Sequence, residues 1–348
     1  MLSQLFGQLR IDLAVDLGTA NTRIGAPGEG LVLDEPSIAA VDPESRQILA
    51  GGRAVGHLAQ QMLGRAPDSI SVVEPIRSGV VADYEVCEAM LRHFFGKARR
   101  GRAWGKPRVL VPISGDTTPV ERRAVLSSAH RAGAGQVLLI AKLKAAALGA
   151  GLPVAEPVAS MVCEIGAGAT EVGVISLADL VAHRSIRIAG REMDQAVADY
   201  VRRHFSLRIS PRSAERLRRE IGSARDLPRE LAREVRGVDQ VSGLPREALV
   251  ASEQVREALE EPLDRIVDAI GSTLDRLDPE LAADLMGQGL VLCGGGAQLA
   301  GIDRMIAERT GLPVRLAPEP TLTVARGALV CLEHLDQWGS LLEGGARG

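Results

Sequence analysis

The chain has 348 residues, of which 46% are hydrophobic and 24% charged, with a net charge of −3. This length and balance suit a soluble globular protein of two domains, each able to bury a core. The small negative charge and an aromatic content of 2% exclude an electrostatic or base-stacking case for nucleic acid.

Leu2, Leu5, Phe6 and Leu9 recur at helical spacing. They read as a short amphipathic membrane anchor or as a helix packed on the body. There is no signal-peptide pattern, and no run approaches the ~20 apolar residues of a membrane span. The apolar alternation Ile11, Leu13, Val15 predicts a strand that ends in Asp16-Leu17-Gly18-Thr19-Ala20-Asn21-Thr22. An acid, a glycine and hydroxyls at a strand end suit a phosphate and metal grip, with Gly18 letting backbone approach an anion; a simple hairpin turn has the same composition.

Short strands and turns are predicted to about Ala50, a helix from Gly51-Gly52 to about Leu63, and a strand at Ile70–Val73. Asp83 is placed to cap a helix over Tyr84–Lys97. The basic stretch Arg99, Arg100, Arg102, Lys106 encloses Trp104. It reads as a solvated loop or as an interfacial membrane contact. A strand over 108–113 precedes a helix that starts at Thr117-Thr118-Pro119-Val120-Glu121, with a hydroxyl cap, an early proline and an early glutamate. A strand over 137–140 and a helix over 142–148 follow.

After Gly151 the plan restarts, with strands at 161–163 and 172–175 around a second glycine turn, which suggests an internal duplication. Helices are predicted at 190–204, 213–222, 253–277, 301–310 and 324–336, with a buried strand at 289–293 and a polar, turn-rich segment at 226–243. The tail 338–348 is expected to be mobile. Cys87, Cys163, Cys293 and Cys331 lie in apolar runs without metal-ligand spacing and read as buried thiols of a reducing cytoplasm.

Three glycine turns thus stand at strand ends: 16–19, Glu164-Ile165-Gly166-Ala167-Gly168-Ala169-Thr170, and Gly294-Gly295-Gly296-Ala297. Together with Asp34-Glu35-Pro36-Ser37, Pro75-Ile76-Arg77, Val120-Glu121-Arg122-Arg123-Ala124, Ile186-Arg187-Ile188-Ala189-Gly190, Glu192-Met193-Asp194 and Ser242-Gly243-Leu244-Pro245-Arg246, they make the chain resemble the bacterial actin MreB family, over about residues 11–335. That family lies within the actin, Hsp70 and sugar kinase superfamily.

The resemblance implies an α/β actin-like ATPase fold of two duplicated ribonuclease H-like domains around a nucleotide cleft. It implies subdomains IA (1–33, 74–150, 322–348), IB (34–73), IIA (151–185, 249–321) and IIB (186–248). It implies a membrane-associated filament guiding cell shape and cell-wall synthesis, using ATP and Mg2+. Ala20, Asn21 and Thr22 match phosphate-holding residues, and Gly166, Gly168, Ala169 and Thr170 the opposite side. Asp16 and Glu164 match metal-site acids. Glu215 and Arg218 match residues by the nucleoside, the latter usually lysine, and Gly294, Gly295, Gly296 and Ala297 match the adenosine turn. Leu2, Leu5, Phe6, Leu9 and Trp104 match membrane contacts. The implied partners are a second copy in double protofilaments, the inner face of the cell membrane, and shape-determining and cell-wall synthesis proteins.

Several positions depart from the family pattern. The second glutamate of its Glu-Glu-Pro-Met segment is Lys142, which stays protonated near neutral pH and takes no proton from water. The aspartate of the second turn is Glu164, a glycine is Ala167 and a threonine is Ala169. Nucleotide binding with weak or absent hydrolysis is therefore expected. A chaperone lacks its peptide-binding domain here, and a sugar kinase its insertions. A non-polymerising membrane scaffold and an organelle-aligning filament like MamK stand as alternatives.

Overall fold

The computed structural model describes residues 12–99 and 105–343. The chain divides into two compact units. The first comprises Met1–Val158, Ile175–Leu180 and Thr321–Gly348; the second comprises Ala159–Val174 and Val181–Pro320.

The first unit is built on a five-stranded sheet of β1 (Leu13–Leu17), β2 (Asn21–Ala26), β3 (Gly30–Pro36), β4 (Arg108–Ile113) and β5 (Gln136–Ala141), in the order β3-β2-β1-β4-β5. β1 to β3 form an antiparallel meander, whereas β4 and β5 run parallel to β1. Alternation buries Leu13 and Val15 against Ile24, Met90 and Phe94. Three helices matter here: α1 (Tyr84–Arg99), α2 (Pro119–Arg131) and α3 (Lys142–Gly149). Asp83 Oδ1 accepts the Val86 N–H at 3.2 Å, as its capping position predicts. α2 opens with a complete capping box in which Thr118 and Glu121 satisfy each other's backbone amides.

The second unit repeats the plan. β6 (Ser160–Ile165), β7 (Thr170–Ser176), β8 (Asp179–Ile186), β9 (Leu290–Cys293) and β10 (Val314–Leu316) take the order β8-β7-β6-β9-β10. In both sheets the first strand of the meander is flanked by its hairpin partner and by a parallel strand, which is the duplication expected from sequence. Its helices are α4 (Gly190–Phe205), α5 (Pro211–Ile221), α6 (Ser252–Leu274), α7 (Pro279–Gln288) and α8 (Ile302–Thr310). A last helix, α9 (Thr323–Glu333), returns to the first unit and packs on α3. The polar 226–243 segment becomes a hairpin of strands Ala232–Asp239 and Pro245–Ala251.

Three expectations change. Gly51-Gly52 closes a helical turn instead of starting a helix, because Ala50 and Gly51 take left-handed conformations; the helix that follows is His57–Met62. The helix expected at 253–277 stops at Leu274, and α7 had no prediction. The tail is packed as far as Glu343. Leu341 is fully buried, the Glu343 N–H donates to Leu139 O at 2.8 Å, and the Glu343 carboxylate pairs with Arg122 at 3.0 Å.

Candidate functional site: two tied-back turns and a third glycine turn

In the first unit the β1–β2 turn closes with the Gly18 N–H donating to Asn21 O at 3.1 Å. A Cβ on Gly18 would lie 2.6 Å from that oxygen, so the turn's own carbonyl takes the space that glycine leaves. Ser37, just beyond β3, ties the turn back. Its hydroxyl donates to Gly18 O at 2.7 Å and its N–H to Ala20 O at 2.8 Å. A trans peptide sets N–H opposite C=O, so the Thr19 and Asn21 amides face away from Ser37. The side chains serve the turn itself. Thr22 is fully buried with its hydroxyl 2.9 Å from Ser37 Oγ, and the Asn21 amide donates to Asp34 at 2.7 Å. Ala20 is exposed and Asp16 is buried on β1 opposite Arg23.

A second element reaches the same turn. The strands Ile76–Arg77 and Val80–Val81 meet in a two-residue turn in which Ser78 and Gly79 both have positive φ. This is the hairpin geometry that favours glycine. The Gly79 N–H donates to Thr19 Oγ1 at 2.9 Å. Lys142, the first residue of α3, places its ammonium 4.0 Å from where a Cβ on Gly79 would stand. Its ammonium is thus directed to the wall of the first turn. Its neighbour Lys144 is 8% exposed and pairs with Asp179 at 3.0 Å.

The second unit repeats the tie-back with a different anchor. The Gly166 N–H donates to Ala169 O at 3.0 Å, the equivalent of the Gly18–Asn21 bond. The first two N–H groups of α4 take the remaining carbonyls: Gly190 donates to Gly166 O at 3.1 Å and Arg191 to Ala167 O at 2.8 Å. The Ala167 and Gly168 amides therefore point away from α4, forming a concave pair suited to an anion. Thr170 is fully buried and its hydroxyl is spent on Ile188 O at 2.6 Å. Ala169 is buried and offers no hydroxyl.

The third turn lies against the second. A Cβ on Gly294, whose φ is +86°, would meet Ile165 O at 2.3 Å, and one on Gly296 would meet Ile165 Cγ2 at 2.4 Å. Only Gly295 has an open face; Ala297 is fully buried. Glu164 links the two turns, since its Oε1 lies 2.8 Å and 3.0 Å from the Cβ positions of Gly294 and Gly166. Arg218, on α5, is 9% exposed and is bound by Asp194 of α4, Nε to Oδ1, at 2.6 Å. Burial pushes the Asp194 carboxyl above its ordinary pKa against the pull of Arg218. Glu215 is half-buried and contacts Arg219 at 3.4 Å.

The donor set fits a nucleotide phosphate, because each unit presents oriented backbone amides at a strand end beside an acid. Among the described residues no group of three His, Cys, Asp or Glu could enclose a metal. Mg2+ needs no such cage, since it keeps several waters and takes one or two carboxylates with phosphate oxygens. Asp16 in the first unit and Glu164 in the second each set a buried carboxylate at the strand end before a turn. Leu2, Leu5, Phe6, Leu9 and Trp104 lie outside the described residues.

A family model described as MreB/Mbl protein matches residues 10–340. The chain belongs to the MreB/Mbl family. It is 46% identical over 342 residues to the cell shape-determining protein MreB of Escherichia coli (strain K12), covering 97% of this chain and 98% of that one. To the cell shape-determining protein Mbl of Bacillus subtilis (strain 168) it is 40% identical over 326 residues, covering 94% and 97%. MreB5 of Spiroplasma citri bound to ADP superposes with a TM-score of 0.89 at 32% identity, over 94% of this chain and 98% of that one. The fold is accordingly the actin-like fold of MreB/Mbl proteins. Ser37, Gly79 and Asp194 hold neighbours of these turns, and sequence reasoning did not single them out. Ser37 and Asp194 stood within matching motifs, but nothing in a one-dimensional pattern told which carbonyl or cation each would hold.

Proposed function

We propose that this chain is an actin-like cytoskeletal protein of cell-shape control that binds ATP with Mg2+ and hydrolyses it weakly or not at all. Its 46% identity to a cell shape-determining MreB along nearly the whole chain carries this reading. The Spiroplasma citri MreB5 structures with ADP and AMPPNP support the choice of ligand. In this reading the Thr19, Asn21, Ala167 and Gly168 amides hold the phosphates, with Ala20, Gly166, Ala169 and Thr170 shaping the turns. Asp16 and Glu164 hold the hydrated metal. The 294–297 turn, Glu215 and Arg218 border the nucleoside. Bound Mg2+ would supply charge neutralisation to the phosphate oxygens.

Weak hydrolysis follows from Lys142. A protonated ammonium at the wall of the first turn attracts phosphate but cannot take a proton from water. Ala169 removes a hydroxyl on the other side. The chain folds in the four subdomains IA, IB, IIA and IIB with the residue bounds given above. It self-associates in double protofilaments and sits on the inner membrane face through Leu2, Leu5, Phe6, Leu9 and Trp104. Support for self-association comes from the 232–251 hairpin, where Val241 is 89% exposed and Leu244 and Leu249 stand out beside it. Among the described residues no helix is long and apolar enough to cross a membrane. Cell-wall synthesis and shape-determining proteins are the proposed partners.

Electron microscopy of the full chain with anionic lipid vesicles and ATP tests the reading. Paired filaments on vesicles are expected. Vesicle binding without filaments would instead assign a scaffold, and filaments that ignore lipid would favour an organelle-aligning role.

A further inference from the structure

Arg218 and Asp194 form a part-buried ion pair in the second unit, and the same guanidinium faces the start of α4. Its Nη2 lies 3.6 Å from where a Cβ on Gly190 would stand. Gly190 and Arg191 are the residues whose amides hold the Gly166 and Ala167 carbonyls. Arg218, the first turn of α4 and the 166–169 turn therefore meet at Gly190.

The electrostatics of that meeting point have a direction. A helix N-terminus carries about half a positive charge, and hydrogen-bonded amides polarise one another, so α4 strengthens the outward Ala167 and Gly168 N–H groups. Asp194 stands one turn into the same helix. Unneutralised, its carboxylate would oppose an anion at the turn. Glu192 is committed elsewhere, accepting the Ala189 N–H at 3.1 Å in the helix cap. Arg218 is the cation that binds Asp194.

We propose that Arg218 is a positioning residue for the second phosphate turn: by neutralising Asp194 at the head of α4, it keeps that helix end and the amides it orients receptive to the charged phosphates of a nucleoside di- or triphosphate. This rests on the nucleotide-binding reading above. It adds a dependence on phosphate number to the place of Arg218 beside the nucleoside, since a nucleoside contact alone would treat mono-, di- and triphosphates alike.

Titration calorimetry of the full chain with ATP, ADP and AMP separates the two. Arg218→Gln is expected to weaken ATP roughly tenfold, the scale of one unit charge acting over about 12 Å at an effective dielectric near 20, and AMP far less. Arg218→Lys keeps a cation and loses less. Asp194→Asn binds ATP at least as tightly as the wild type. Adding Asp194→Asn to Arg218→Gln recovers most of the lost ATP affinity, and the double variant carries the test should Arg218→Gln alone not fold, as thermal melting reports. Equal losses for ATP and AMP, with no recovery in the double variant, would overturn the proposal and leave Arg218 with a nucleoside contact alone. A wild-type chain that binds no nucleotide would overturn the nucleotide reading itself, and that result appears before any variant is compared.

Discussion

The Gly79 amide donates to the Thr19 hydroxyl at 2.9 Å, and this bond joins the 76–81 hairpin to the β1–β2 turn. Lys142 reaches the same corner. Its charge is placed at a helix N-terminus, where cations are disfavoured, and α3 has no acid in its first turn to offset it.

On the proposed function, Lys142→Glu places at this corner a group able to orient and deprotonate water. A positioned base is worth ~10²–10⁴-fold in rate. Because Ala167 and Ala169 remain, a gain of about tenfold in ATP turnover is expected, measured by phosphate release. Lys142→Gln should show no gain. An unchanged Lys142→Glu rate would move the defect to the 166–170 turn.

The helix that carries Lys142 is held by close backbone contact. A Cβ on Gly327 of α9 would lie 1.7 Å from Ala145 O, and one on Gly149 would lie 2.0 Å from Thr323 O. Neither backbone can yield without separating α3 from α9. Gly327→Ala should cost about 3 kcal/mol in urea denaturation, at the upper end of overpacking penalties. An effect under about 0.5 kcal/mol would contradict this packing.

Glu35 gives a pH signature. It is 7% exposed, accepts the His57 N–H at 2.9 Å and pairs with the Lys97 ammonium. Burial pushes its carboxyl pKa up, but the hydrogen bonds from Lys97 and His57 outweigh burial and leave it below the ordinary value. A carboxyl lowered in the folded state contributes stability above its unfolded pKa of about 4.3, and that contribution is lost as pH falls through the folded value. Glu35→Gln should therefore lower stability by about 1–3 kcal/mol at pH 7. The gap to the wild type should close as pH drops below about 4, as read by denaturation at each pH.

The cysteines are closed to reagents in the native state. Cys87, Cys163, Cys293 and Cys331 have no exposed surface. Burial pushes the Cys87 thiol up to about 12 and Cys331 to about 11, and raises Cys163 as well. A thiol-reactive dye should label the native chain only at its unfolding rate and all four sites at once in denaturant. Fast native labelling of any site would show local opening there.

Much of the fold was legible because alternation and capping are local codes. β1 and β2 follow from Leu13, Val15 and Ile24, and α2 from Thr118 and Glu121. The acid-plus-glycine turns were visible as composition. Their working parts were not, because they depend on contacts distant in sequence: Ser37 on Gly18, Gly190 on Gly166, Asp194 on Arg218. Gly18 invited a reading as a place for an anion, whereas its missing Cβ makes room for Asn21 O. The tail looked mobile from its composition, yet Leu342 and Glu343 find partners on β5 and α2, more than 200 residues earlier in the chain.

The tie-back of the two turns also bears on how a ligand meets them. With Gly18, Ala20, Gly166 and Ala167 carbonyls already committed to Ser37 and α4, the opposing amides are fixed before any anion arrives. Binding then loses little chain entropy at these turns, since their backbone is ordered in advance. Hydrogen exchange at Thr19, Ala167 and Gly168 should slow through shielding by the ligand alone, with no wave of protection spreading along β1 or β6.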